Sequence, residues 1–274
     1  MSFKDQGYEF PIEVLSADEL KRIRMQFDQW LRHYGGTYPR EKTQKTHLLF
    51  SWADQLVHHP KIIAAVQEIL GPDILCWTTN LFMKPAYSRS YVSWHQDAPY
   101  WGLEPHEVVT AWIALSDSNE SNGGLCVLPG SHLQDLSPHR DTFAEDNLLT
   151  RGQEIAVDVD LSKTVCMNLR PGEMSLHHIR LAHGSGPNTS NEPRIGLAIR
   201  YIPTSVRQKK SRDFAQLVSG KDDFHHFDLE PRIQRDLDPK GVAAHQRALI
   251  RQIKNNFQSL PNSSFRSEER RVGK

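Results

Sequence analysis

Cysteine is scarce in this chain. Cys76, Cys126 and Cys166 are three in 274 residues, odd in number and widely spaced. That is no disulfide framework. Each lies in an apolar context, such as Leu125-Cys126-Val127-Leu128, so all three are expected to be buried free thiols, which fits a reducing cytoplasm. Net charge is also missing: Lys+Arg and Asp+Glu both number 33. No basic stripe stands out, which argues against a nucleic-acid partner. No apolar run approaches the roughly 18 residues of a membrane-crossing helix. The opening Met1-Ser2-Phe3-Lys4-Asp5 lacks the apolar stretch of a signal peptide, so a cytoplasmic location is expected. There are no internal repeats and no low-complexity tract. Nothing here tells the oligomeric state.

Hydrophobic residues, at 38%, and aromatics, at 9%, suffice for a substantial core. One domain over residues 1–265 is expected, with its β core at about 74–203. The last nine residues, Arg266-Ser267-Glu268-Glu269-Arg270-Arg271-Val272-Gly273-Lys274, look foreign: the string resembles an in-frame translation of a sequencing adapter. Residues 266–274 are therefore read as a non-native tail and left out of the fold argument.

The N-terminal third reads as helical. Ser16-Ala17-Asp18-Glu19 fits a capping box, and Leu20, Ile23, Phe27, Trp30 and Leu31 follow at helical spacing until Gly35-Gly36. A second helix is expected from Pro60 to Leu70. From Ile74 the pattern becomes β. Strands are expected at 74–84, 108–116, 125–128, 164–169, 173–176 and 195–202. Turns rich in Gly, Pro and Asn punctuate them. Many short strands with such turns argue for a sandwich, jelly roll or barrel. Residues 131–153 show little strand pattern and are a candidate lid or a solvated surface insertion. A last helix is expected over 242–257.

Four residues carry the chemistry. His95-Gln96-Asp97 places an imidazole and a carboxylate two apart, on one side of an extended segment. His183-Gly184-Ser185 follows 86 residues later than the aspartate, and Arg194 stands eleven after the second His. Two imidazoles and one carboxylate with open coordination positions suit a non-haem Fe(II) oxygenase. A fixed guanidinium takes a carboxylate in two parallel hydrogen bonds. Each piece alone is a weak signal, and hydrogen-bonded surface pairs or salt bridges are the plain alternatives.

Together the pieces resemble the phytanoyl-CoA dioxygenase-like branch of the Fe(II)/2-oxoglutarate oxygenases. The matching stretches are His95-Gln96-Asp97, Ala111-Trp112-Ile113-Ala114-Leu115, Asn122-Gly123-Gly124 through Pro129-Gly130-Ser131-His132, Pro171-Gly172-Glu173, and His183-Gly184-Ser185-Gly186-Pro187-Asn188 through Arg194. The resemblance implies a mainly β fold with flanking helices: a double-stranded β-helix (jelly roll, cupin-like) with N-terminal helices and a C-terminal helix.

It also implies that His95, Asp97 and His183 are iron ligands and catalytic. Arg194 would anchor 2-oxoglutarate with Ser185 as neighbour, and Asn80 and Trp112 would line the cosubstrate pocket. The implied cofactors are Fe(II), 2-oxoglutarate and O2. The implied reaction hydroxylates an unactivated C–H bond of a small metabolite and releases succinate and CO2. Family members act on acyl-CoA esters, amino acids, ectoine and aminoalkylphosphonates, so the substrate stays open. Halogenating members carry a small residue where Asp97 stands, which favours hydroxylation. Desaturation, epoxidation, or a cupin-like metal enzyme that does not use 2-oxoglutarate remain alternatives.

Tyr100 and Trp101 follow the first ligands and are candidates to wall the substrate pocket. Lys84 reads as an exposed strand-edge lysine, or one that reaches the cosubstrate. His132 is expected to stabilise its own turn. One of His177 and His178 must face inward, and His178 is the candidate. The spacing around His225-His226 is poor for a second metal.

Overall fold

The computed structural model describes residues 2–149 and 151–257; the tail at 266–274 lies outside them. In chain order the elements are α1 (Phe3–Gln6), β1 (Tyr8–Glu13), α2 (Ala17–His33), α3 (Ser51–Val57), α4 (Pro60–Leu70), β2 (Ile74–Lys84), β3 (Val92–His95), α5 (Ala98–Trp101), β4 (Leu103–Glu104), β5 (Val109–Ala114) and β6 (Cys126–Val127). There follow β7 (His139–Asp141), β8 (Gln153–Ile155), β9 (Val165–Cys166), β10 (Glu173–His178), β11 (His183–Ser185), β12 (Arg194–Pro203), β13 (Arg207–Gln208), β14 (Phe214–Ser219), β15 (Asp228–Leu229) and α6 (Pro239–Phe257).

One sheet has the order β1-β10-β5-β12-β2-β14-β15 and another the order β3-β11-β6-β9. Of these strands, β2, β5, β10 and β12 lie in the first sheet and β3, β6, β9 and β11 in the second, and the chain crosses between sheets at each step except from β6 to β9. That is the double-stranded β-helix. By internal contacts the chain forms two compact units: Met1–Arg24, Leu81–Pro99 and Val109–Ala198, and then Met25–Asn80, Tyr100–Val108 and Ile199–Lys274.

In the first unit, the Ser16 capping box forms as its residue types require. The Ser16 amide donates to Glu19 Oε2 at 2.8 Å, and the Glu19 amide donates to Ser16 Oγ at 3.3 Å. The N-terminal stretch is not all helix. Tyr8–Glu13 forms edge strand β1 on β10, with Tyr8 opposite His177 and Glu13 opposite Glu173. Pro11 hides this strand in the sequence; an edge strand with an irregular register tolerates proline because one side needs no ladder bond. β10 pairs antiparallel with β5, and Trp112, Ala114, Leu169 and Ala198 pack with Phe10 and Phe82 into a core.

The free-thiol expectation is wrong for two cysteines. Cys126 on β6 and Cys166 on β9 are directly opposed in register and form a disulfide. Their 40-residue separation hides a proximity that only strand pairing creates. The support that free thiols gave to a reducing compartment goes with it. Cys76 is free and buried, as expected. The 131–153 segment also differs from expectation, because its β7 pairs as a hairpin with β8, which begins at the segment's last residue.

The second unit contains α3, α4, α6 and an aromatic core. Phe27 stacks on Tyr38 at 5.3 Å and meets Trp52 edge-on at 5.4 Å. β14 pairs antiparallel with β2 and parallel with β15. A fully buried ion pair joins Lys45 Nζ to Glu230 Oε1 at 2.6 Å. The C-terminal helix begins at Pro239, three residues before the sequence pattern suggests.

Candidate metal and carboxylate site

The first unit brings His95, Asp97 and His183 together. β3 ends at His95 and β11 begins at His183, and these two residues are register partners across the antiparallel pair. Their ring centroids are 4.1 Å apart. Each Nδ1 lies 2.9 Å from a backbone carbonyl, Ser93 O for His95 and Leu181 O for His183. A carbonyl only accepts, so Nδ1 carries the proton and each Nε2 keeps its lone pair for a metal. Asp97 Oδ1 lies 3.3 Å from His95 Nε2, and Oδ2 lies 3.8 Å from His183 Nε2. One ligand atom from each residue lies within 4.8 Å of the others, which is a geometry that can hold an ion. All three side chains are buried.

Asp97 does not share a strand with His95, contrary to the i, i+2 argument. β3 stops at His95, and Asp97 sits in the turn into α5. Its amide donates to Ile179 O at 3.1 Å. Gln96, between the two, clamps three segments. Its amide donates to His139 Nε2 at 2.9 Å, its Nε2 donates to Arg180 O at 2.7 Å, and its Oε1 accepts from the Ser137 amide at 2.9 Å. The β7–β8 insertion is therefore tied to the ligand-bearing strand. Ser93 Oγ adds a bond to Gln153 O. Burial, the main cause, holds His139 below the usual imidazole range and favours the neutral ring that accepts from Gln96. Sequence reasoning missed this role, although the Gln stands inside the motif.

Arg194 opens β12, only 2% exposed, with its guanidinium 5.2 Å from the Trp112 ring centroid. A Cβ at Gly196 would come 2.1 Å from the Trp112 ring, so glycine there lets the indole lie against the strand. No carboxylate among the described residues pairs with Arg194, and its Nε has no hydrogen-bond partner. Burial pushes its pKa down to about 10, which still leaves it charged at neutral pH. A buried cation without a counter-ion is costly unless an anion is brought to it.

Ser185 is buried, and its Oγ accepts from Lys84 Nζ at 2.6 Å. Lys84 is fully buried, contrary to the exposed strand-edge expectation. Its Nζ also donates to Gly123 O at 3.3 Å and to Gly186 O. Gly123 has φ +75°, and a Cβ there would collide with Gly186 O and Lys84 Nζ, so only glycine closes this turn over the lysine. Burial first, and the Arg194 charge second, push Lys84 down to about 6.

His177, not His178, lies by the distal histidine, its ring 4.9 Å from that of His183. His178 instead accepts from the Arg180 amide at 3.1 Å and lies 5.4 Å from the His132 ring. His132 reaches Lys4 O at 3.0 Å rather than only bracing its own turn.

Asn80, Tyr100 and Trp101 belong to the second unit. There Asn80 Oδ1 accepts from Arg200 Nη1, and Trp101 lies 5.2 Å from both the Trp77 ring and the Arg200 guanidinium. The Tyr100 carbonyl accepts from Lys210 Nζ at 3.5 Å. No helix among the described residues is long and apolar enough to cross a membrane, and the only metal-compatible cluster found among them is the triad.

The chain resembles a probable alpha-ketoglutarate-dependent hypophosphite dioxygenase from Stutzerimonas stutzeri at 32% identity, over 73% of this chain and 76% of that one. Among solved structures, a non-heme monooxygenase, ThoJ in its apo form, matches with 37% identity and a TM-score of 0.83, over 93% of this chain and 96% of that one. The structure of CytC3 with Fe(II) and alpha-ketoglutarate shares the fold at 22% identity and a TM-score of 0.65, over 86% and 93%. The family model for phytanoyl-CoA dioxygenase (PhyH) matches residues 3–196. The chain belongs to the phytanoyl-CoA dioxygenase family of iron- and 2-oxoglutarate-dependent oxygenases.

Proposed function

We propose that the protein is an Fe(II)- and 2-oxoglutarate-dependent dioxygenase that hydroxylates an unactivated C–H bond of a small metabolite. The observation that carries this reading is Arg194: a buried guanidinium, stacked on Trp112, with no anion among the described residues beside it. In the same unit, two imidazoles whose Nδ1 atoms face backbone carbonyls and one carboxylate converge. A metal-chelating dicarboxylate satisfies both needs at once. The residues present therefore fit the cofactors that the family uses.

In this reading His95, Asp97 and His183 hold the metal. Arg194 takes the distal carboxylate through two parallel N–H donors, and Trp112 keeps water from the guanidinium. Ser185 Oγ, fixed by Lys84 Nζ, is the neighbouring hydroxyl. When bound, the metal and the 2-oxo acid supply O2 activation, with release of succinate and CO2 as the substrate gains a hydroxyl. Asp97 fills the position that halide would need, which supports hydroxylation over halogenation. The relative named for hypophosphite makes a small anion a second substrate class to include in any screen.

The test is succinate release with Fe(II), ascorbate and candidate substrates. Succinate should require both iron and 2-oxoglutarate, and His95→Ala and Asp97→Ala should abolish it. Equal succinate release by wild type and both variants would sink the assignment.

A further inference from the structure

Buried polar side chains in proteins are almost always hydrogen-bonded, and exceptions call for an explanation. Two exceptions lie on one face of the β5–β10 pair. Thr110 is 1% exposed and Ser175 is 0% exposed, and neither hydroxyl has a hydrogen-bond partner among the described residues. Ser175 lies opposite Trp112, and His177 opposite Thr110. Directly opposed residues of an antiparallel pair project to the same side, as do residues two apart. Thr110, Trp112, Ser175 and His177 therefore share one face, and the two hydroxyls are diagonal neighbours on it.

The ends of this short row are marked. At one end, the Trp112 ring stacks on the Arg194 guanidinium at 5.2 Å. At the other, the His177 ring lies 4.9 Å from that of His183. The row from one cross-strand pair to the next spans two residues of strand, roughly 7 Å. A five-carbon dicarboxylate bridges that span. Any molecule held by the metal at its oxo end and by Arg194 at its far carboxylate lies across this row.

We propose that the hydroxyls of Thr110 and Ser175 are hydrogen-bond contacts for the 2-oxo dicarboxylate, between its metal-bound end and its Arg194-bound end. The inference rests on the cosubstrate reading above. A hydroxyl donates one hydrogen bond and rotates to suit its acceptor, so each can serve a carboxylate or a keto oxygen. The described residues leave both donors unused, at a cost to folding that ligand binding recovers.

Thr110→Val and Ser175→Ala test this, because each removes a hydroxyl that satisfies nothing in the free protein. Truncating a buried group without a partner is neutral or stabilising, so both variants should melt at or above the wild-type temperature. Their affinity for the metal alone should be unchanged. The Kd of 2-oxoglutarate for the Fe(II)-loaded protein, measured anaerobically by calorimetry, should rise about tenfold in each, the effect of one lost hydrogen bond to a charged group. An unchanged Kd in both variants overturns the proposal, as does an unchanged Kd with a raised substrate KM, which would make the row a substrate contact. If wild type itself binds no 2-oxoglutarate, the parent reading fails instead, and the two failures are separable.

Discussion

Lys84 shows what a single residue adds to the site and why the sequence hides it. On a strand pattern it looks like a solvated edge, yet its ammonium lies fully buried under Ser185 and the Gly123 turn. Burial first, then the positive Arg194, bring its pKa down to about 6. In the unfolded chain it titrates near 10.4. Between these values the unfolded chain holds a proton that the folded protein lacks. Stability should therefore rise with pH from about 6 towards 10, by at most about 1.4 kcal/mol per pH unit from this group. Lys84→Met should flatten that slope in denaturant melts taken at pH 6.5 to 9. A slope equal to wild type would show that Lys84 stays charged. His177 and His178 teach the same lesson. Strand parity demands that one face inward, but only the pairing of Thr110 with His177 says which. Arg194 could be singled out by its spacing after the distal motif, on a short, local stretch of chain, but its burial against Trp112 could not be read there.

Long, strongly patterned elements follow the sequence closely. β2 spans Ile74–Lys84 and α4 spans Pro60–Leu70, as the strand run and the Pro-to-Gly helix signal indicate. Short elements whose identity comes from their neighbours do not. β1 is held by the edge of β10 despite Pro11, and the β7–β8 hairpin is held by Gln96 and Ser93. The Cys126–Cys166 disulfide is the sharpest case, because its partners meet only through the β6–β9 register. It stands one strand from the distal histidine: Cys126 is opposite Gly184, and Val127 is opposite His183. Chain-entropy reasoning for a loop of 40 residues puts its contribution at about 4 kcal/mol, as an upper figure. A Cys126→Ser/Cys166→Ser double variant should lower the denaturant midpoint accordingly. Dithiothreitol should lower the wild-type midpoint and leave that of the variant unmoved. Identical midpoints for wild type and variant would show that the bond contributes nothing.

For the whole molecule, the two-sheet architecture and the convergence of His95, Asp97 and His183 were legible because local motifs fall on strands whose order the fold dictates. The division into two compact units was not, since strands β2 and β12 run through both and no break in composition marks it. The unpaired charge of Arg194 is also a property of the fold: the sequence supplies an arginine, and packing buries it with no counter-ion among the described residues. The protein is thus built to be completed by an anion that also chelates metal. Thermal unfolding in the presence of Fe(II) under anaerobic conditions, with and without 2-oxoglutarate, tests this most directly. A ligand at about a hundred times its Kd stabilises by about 2.7 kcal/mol, several degrees for a chain of this size. The account predicts that 2-oxoglutarate raises the melting temperature by that much only when metal is present. Glutarate, without the oxo group, should do far less, and Arg194→Lys should lose most of the gain. A melting temperature indifferent to 2-oxoglutarate in the metal-loaded wild type would contradict it.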